Sequence, residues 1–260
     1  MTSLLTPYDL PFLAEHSPEP LLASGADVRL DVVLRDPVDA GLSEKLTGLV
    51  ILFTELASTG ALAGVEIPPW GSAIRDGFSG PTAIAPNHLS WVLQTCVVDE
   101  TALLILAHAL LDVHERHPIL RFVASNSAQV TRIDRDASLR SPYPDVFKNV
   151  PFPWSVSREI MDEATLSVRF ASEPDADQQK TIGNKLLTWA AATAMGAYAV
   201  APLLPADCGM AVDPDIAFSG QELEWSFAKF LGHPDAFKGL VNALTSLARK
   251  TIAIEEVAIE

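Results

Sequence analysis

The chain has 260 residues, 48% hydrophobic and 20% charged, and a formal net charge of −15. That length can bury a large core, and the balance is that of globular proteins rather than of disordered ones. With a pI near 4.7 and no basic stripe, the chain is not expected to bind a nucleic-acid backbone or an anionic membrane surface.

Met1–Ala26 carries no Lys or Arg ahead of its apolar residues. It is interrupted by Pro7, Pro11, Pro18 and Pro20, so it does not read as a secretory signal but as an N-terminal extension. Val28–Arg35 alternates apolar and polar residues, the mark of a half-buried strand. Leu46, Leu49, Val50, Phe53 and Leu56 then fall on one face of a helix expected over Ser43–Ala57, with Ser43 as its cap. A Pro- and Gly-rich stretch follows, with a short strand expected near Ser72–Phe78. Leu89–Val98 reads as a long strand. A helix over Glu100–Glu115, capped by Asp99 and stopped by Pro118, leads to a strand at Ile119–Ala124.

Residues 126–162 read as a linker. They hold Pro142, Pro144, Pro151 and Pro153 and a cluster of Arg132, Arg135 and Arg140. Tyr143, Phe147, Phe152 and Trp154 predict that part of this segment packs against a domain, because so many exposed aromatics would be a liability. The remainder repeats the first pattern: strand Thr165–Ala171, helix Asp177–Ala194, strand Leu223–Phe230, helix Pro234–Arg249 and strand Thr251–Ile259. The last strand shifts its alternation at Glu255–Glu256, which predicts a bulge.

The two stretches align in order. Leu30, Val32 and Leu34 fall on Leu166, Val168 and Phe170, and Trp91 and Leu93 on Trp225 and Phe227. Phe78-Ser79-Gly80 matches Phe218-Ser219-Gly220, and Leu120 and Phe122 match Ile252 and Ile254. The expected fold class is therefore α+β, a tandem duplication of a ferredoxin-like β-α-β-β-α-β unit over residues 27–125 and 163–260. Each unit would lay two helices on one face of an antiparallel sheet and leave the other face open. Two such open faces hide either by stacking on each other or by joining edge to edge. Arg29, Asp31, Val33 and Arg35, with Thr165, Ser167 and Arg169, are expected on that open side.

Catalytic signatures are absent: no phosphate-cradling Gly loop, Cys-x-x-Cys pair, Gly-x-Ser-x-Gly elbow or His-Glu-x-x-His helix occurs. No catalytic residue is legible, and no cofactor is expected. His108, Asp112 and Glu115 share one helix face, but the apolar stripe points elsewhere, so a solvated polar stripe is expected there and no metal site. His88 precedes Trp91 and would act as a general base only inside a pocket. Cys96 and Cys208 do not occupy matching repeat positions and read as thiols of a reducing cytoplasm. The ligand-binding candidates are Arg29, Asp31 and Arg169 on the open side, and Trp91 and Trp225 if their rings turn that way.

The expectation is an acidic, non-enzymatic binding protein that takes a basic protein partner on its acidic surface or open sheet. The alternative is a small-molecule protein or enzyme with a pocket between the repeats. The paired layout resembles the dimeric α+β barrel superfamily in topology, and that resemblance implies such a pocket, in some members for haem. No histidine of the second unit is placed as an obvious haem ligand. Oligomeric state and partner identity are not legible.

Overall fold

The computed structural model describes residues 10–17, 25–62, 73–74, 77–94, 96–97, 100–126, 130–132, 146–147, 149–157, 163–195, 211–212, 216–228 and 236–260. Asp99, Tyr143, Cys208, His233 and Pro234 lie outside them. The first half contains β1 (Leu13–His16), β2 (Val28–Leu34), α1 (Ala40–Thr59), β3 (Ala73–Ile74), β4 (Phe78–Ala85), β5 (His88–Leu93) and β6 (Cys96–Val97). It continues with α2 (Glu100–Ala109), α3 (Leu111–Arg116), β7 (Ile119–Ser125) and β8 (Thr131–Arg132). The second half contains β9 (Trp154–Val156), β10 (Glu163–Phe170), α4 (Ala176–Ala194), β11 (Ala211–Val212), β12 (Ala217–Ser219), β13 (Glu222–Ala228), α5 (Ala236–Lys250) and β14 (Ile254–Ile259).

Helix boundaries follow the caps. α1 starts earlier than expected because Asp39, not Ser43, accepts the backbone N–H of Leu42 at 2.8 Å. α4 opens with a full capping box in which Asp175 and Gln178 each bond the other's backbone N–H. The single helix expected over Glu100–Glu115 is divided at Leu110. Backbone bonds from Leu110 N to Leu106 O and from His114 N to Leu110 O still bridge the division. The expected long strand Leu89–Val98 also divides. β5 stays in the main sheet, and β6 pairs with β3 in a separate ribbon.

The first sheet has the order β4-β5-β2-β7-β1-β8, and the second β11-β13-β10-β14-β9, with β12 also on β13. In both, the opening strand lies between the third and closing strands of its half. In both, a strand from the preceding segment runs parallel to the closing strand: β1 beside β7 and β9 beside β14. The segment read as an extension thus lends β1 to the first sheet, and the one read as a linker lends β8 to the first and β9 to the second. Phe147 and Phe152 of the second segment are buried, as its aromatics predict.

Register corrects part of the alignment. Trp91 lies opposite Leu30 and Trp225 opposite Leu166, so the tryptophans do coincide. Phe122 lies opposite Val32, and Val257 opposite Val168, so the counterpart of Phe122 is Val257 and not Ile254. Phe78 faces Leu93 at one end of β5, whereas Phe218 faces Leu223 at the other end of β13. The two Phe-Ser-Gly tripeptides therefore occupy opposite ends of their hairpins. The irregularity expected at Glu255–Glu256 is present: the register slips between Arg169 and Phe170 and leaves Glu255 without a partner residue on β10. The first sheet slips at the matching place, between Val33 and Leu34, and leaves out Leu120.

The two halves meet through their helices. α1 packs on α4. Gly60, the αL cap of α1, lies so close to α5 that a Cβ there would stand 3.0 Å from Cβ of Ser246. Lys185 of α4 donates to the carbonyl of Thr59 at 3.3 Å. The layers thus run sheet, helices, helices, sheet. Neither expected way of hiding the open faces is used, because the helices bury a second side. On α5 this second side is made of Val241, Asn242, Ala243, Thr245 and Ser246, all buried, and small side chains there let another helix approach closely. One continuous core results. Among the described residues no helix is long and apolar enough to cross a membrane.

Candidate functional site

On the first sheet β2 turns Leu30, Val32 and Leu34 toward the helices and Arg29, Asp31 and Val33 outward. Register sets Val92, Ser90 and His88 of β5 beside those three, with Ser125, Val123 and Arg121 of β7 on their other side. The cross-strand neighbours form a network. Asp31 Oδ1 accepts from Arg29 Nε at 3.0 Å, Arg29 Nη2 at 2.9 Å and His88 Nε2 at 2.9 Å. Arg29 Nε also donates to Ser90 Oγ at 3.0 Å. A carboxylate only accepts, so this contact sets the imidazole tautomer with its proton on Nε2. Beside it Arg121 Nε donates to Glu15 of β1 at 2.5 Å. Charge on this face is internally compensated. Its centre is also covered: Asp31, Ser90 and Val123 are only 9%, 5% and 6% exposed.

The second sheet presents a different outer face. Thr165, Ser167 and Arg169 of β10 lie beside Ser226, Glu224 and Glu222 of β13, with Ala258 and Glu256 of β14 on the far side. Thr165 Oγ1 and Ser226 Oγ are 3.2 Å apart. Arg169 pairs with Glu256, both half-exposed. Glu222 and Glu224 are exposed, and neither makes an ion pair or side-chain hydrogen bond among the described residues. By register these two glutamates stand where His88 and Ser90 stand on the first sheet. The two outer faces thus have matching geometry and different chemistry.

The five candidate residues do not form one site. Arg29 and Asp31 are joined to each other, while Arg169 lies on the other sheet. Trp91 and Trp225 are both 1% exposed and face the helices. Trp91 Nε1 donates to Thr47 Oγ1 at 3.4 Å, and the Trp225 ring meets Phe227 edge-on at 5.4 Å. Both rings therefore anchor cores, and a ligand on an outer face does not reach them. His88 and Ser90 complete the Asp31 network; their place follows from the β2–β5 register, which the sequence alone does not set.

His108 does not join the polar stripe expected for it. It is buried, because its helix also buries Ile105, Ala109 and Leu111 beyond the stripe of Leu103, Leu106, Leu110 and Val113. Asp112 faces solvent and accepts from Lys45 at 2.5 Å. Among the described residues no group of three His, Cys, Asp or Glu side chains is placed to hold a metal. Between the halves, Leu52, Phe53, Leu56, Ile105, Ala192 and Met195 help line an apolar cavity of about 10 Å³, room for about one water. Burial, and then the nearby charge of Lys250, push the Lys185 amine at this junction down to about 8.

No protein-family model and no curated protein matches the sequence. Among solved structures, a Cas6 product complex is similar at 16% identity, covering 85% of this chain and 92% of that one, with a TM-score of 0.18. A likeness at that score carries no argument about fold or activity.

Proposed function

We propose that the chain is a tandem duplication of a ferredoxin-like β-α-β-β-α-β unit that acts as a non-enzymatic binding protein, taking a basic protein partner on the outer face of its second sheet. The duplication is supported by the shared strand order, the coincident tryptophans and the register slip at matching places. The binding reading rests on one observation: Glu222, Glu224 and Glu256 share an exposed sheet face on which Arg169 is the one neighbouring cation among the described residues, in a chain with net charge −15. Such a field speeds the approach of a cationic partner and disfavours nucleic acid. The small-molecule alternative needs the apolar junction between the units to open well beyond its present cavity.

The test is capture from lysate by the tagged chain, by E222Q/E224Q/E256Q, and by a control, D36N/E44Q/E55Q, that removes the same charge from exposed sites elsewhere. Basic proteins are expected on the unaltered chain and the control at about 50 mM salt and not at about 500 mM, where screening is strong. The face variant is expected to lose them. Equal retention by the face variant refutes the assignment of the face. Equal loss from the control shows that charge alone, not this surface, does the binding.

A further inference from the structure

β4 is an exposed sheet edge that carries no charge. Its eight residues span about 26 Å at about 3.3 Å each. Ser79 through Ile84 are all exposed, Ile84 by 51%, and no charged residue occurs from Gly77 to Asn87. Among the described residues the other strands at sheet ends, β8, β9, β11 and β12, have two or three residues each. Shortness blunts those edges. β4 is neither short nor charged, and its outward N–H and C=O groups offer a template to another strand.

What β4 has instead is an interruption. Ser79 pairs with Val92 and Thr82 with Ser90, so Gly80 and Pro81 together oppose the single residue Trp91. A second slip lies between Ala83 and Ala85. Gly80 sits at φ +115, and a Cβ there would stand 2.8 Å from the Ser90 carbonyl oxygen, so the bulge requires glycine. Pro81 supplies no N–H at all. A strand laid along β4 therefore meets a bent backbone with a missing donor near its middle.

We propose that Gly80–Pro81 is an edge guard that keeps β4 from pairing with the β4 of a second copy of this chain. A two-fold antiparallel pairing meets the defect on both strands, and the unbroken remainders are only Phe78–Ser79 and Thr82–Ala85, both below the usual strand length of about five or six residues. A second copy is the occupant to exclude because its uncharged strand is always present at the same concentration and brings no repelling side chain within this segment.

The test compares the unaltered chain with P81T, which keeps Gly80 and supplies an N–H on a β-branched residue. Circular dichroism checks folding, and P81A replaces P81T if that variant does not fold. Light scattering across a wide concentration range is expected to show a monomer for the unaltered chain and concentration-dependent dimers or larger species for the Pro81 variant. P81T/T82K is expected to return to monomer, because like charges on paired strands repel. A folded Pro81 variant that stays as monomeric as the unaltered chain overturns the guard. So does an unaltered chain that is already dimeric and is dissociated by T82K alone, which would make β4 an open interface.

Discussion

Replacing Gly60 by alanine tests the helix-to-helix junction directly. Gly60 holds φ +90 at the end of α1, where a side chain costs about 1–2 kcal/mol through backbone sterics alone. The new Cβ would also stand 3.0 Å from Ser246 Cβ and 3.3 Å from its Oγ, tighter than ordinary contact. Both are short and close to rigid helix backbone, so relief needs a shift of α1 against α5, costing about 1 kcal/mol more as mild overpacking. G60A should therefore lose about 2–3 kcal/mol in urea unfolding, read as a lower midpoint at constant slope. The two parts separate in a double-mutant cycle with S246G, which itself costs about 1 kcal/mol as a helix-interior glycine. In the S246G background the crowding vanishes and the backbone strain stays, so G60A should cost about 1 kcal/mol less there. Independent sites add to within about 0.5 kcal/mol. A G60A penalty that is the same in both backgrounds would mean that α1 does not end against α5, and the layer order argued above would fall.

Four further outcomes follow from the helix junction, the core and the two outer faces. The Lys185 amine has its ordinary value near 10.5 when unfolded and about 8 when folded, so between those values the unfolded chain holds more protons and native stability rises with pH. The rise is at most about 3 kcal/mol, less after screening by partial exposure, and K185M should lack it; equal pH slopes in the two proteins would contradict the buried junction. W225A should cost about 3–5 kcal/mol in the same unfolding assay, as expected for a buried ring; a loss under about 1 kcal/mol would move Trp225 to the surface. R169A should cost under about 1 kcal/mol, since both partners of its ion pair are half-exposed. D31A should cost about 1.5–3 kcal/mol, because a covered carboxylate accepts from the Arg29 guanidinium and from His88 there. Equal losses for R169A and D31A would contradict the contrast drawn between the two outer faces.

Much of the local structure was legible because it depends on neighbours in the chain. The alternation through Leu30, Val32 and Leu34 announced both the strand and the side it buries, and Glu255–Glu256 announced the slip in the closing strand. Ser43, beside the apolar stripe, reads as the cap of α1, yet Asp39 fills that place; a cap is decided by whichever side chain reaches the orphan N–H groups. The Phe-Ser-Gly match misled because a tripeptide says nothing about its cross-strand register, and Phe78 and Phe218 lie at opposite ends of their hairpins. The Asp31 network was half visible. Arg29 and Asp31 share a strand face, whereas His88 and Ser90 join them only through strand pairing.

By itself the amino-acid order determined which elements form and which side of each is apolar, since hydrophobic period acts within a few residues. Tertiary structure alone decided what those sides meet. Asn242, Thr245 and Ser246 of α5 look solvent-ready in a linear reading, yet all three are buried: Ser246 lies where the end of α1 approaches, and Asn242 accepts from the backbone N–H of Phe147. That choice turned both sheets outward, because helix surfaces of small side chains allow close approach, while outer sheet faces bearing the exposed Arg29, Arg169, Glu222 and Glu224 could not be buried together without stripping water from their charges.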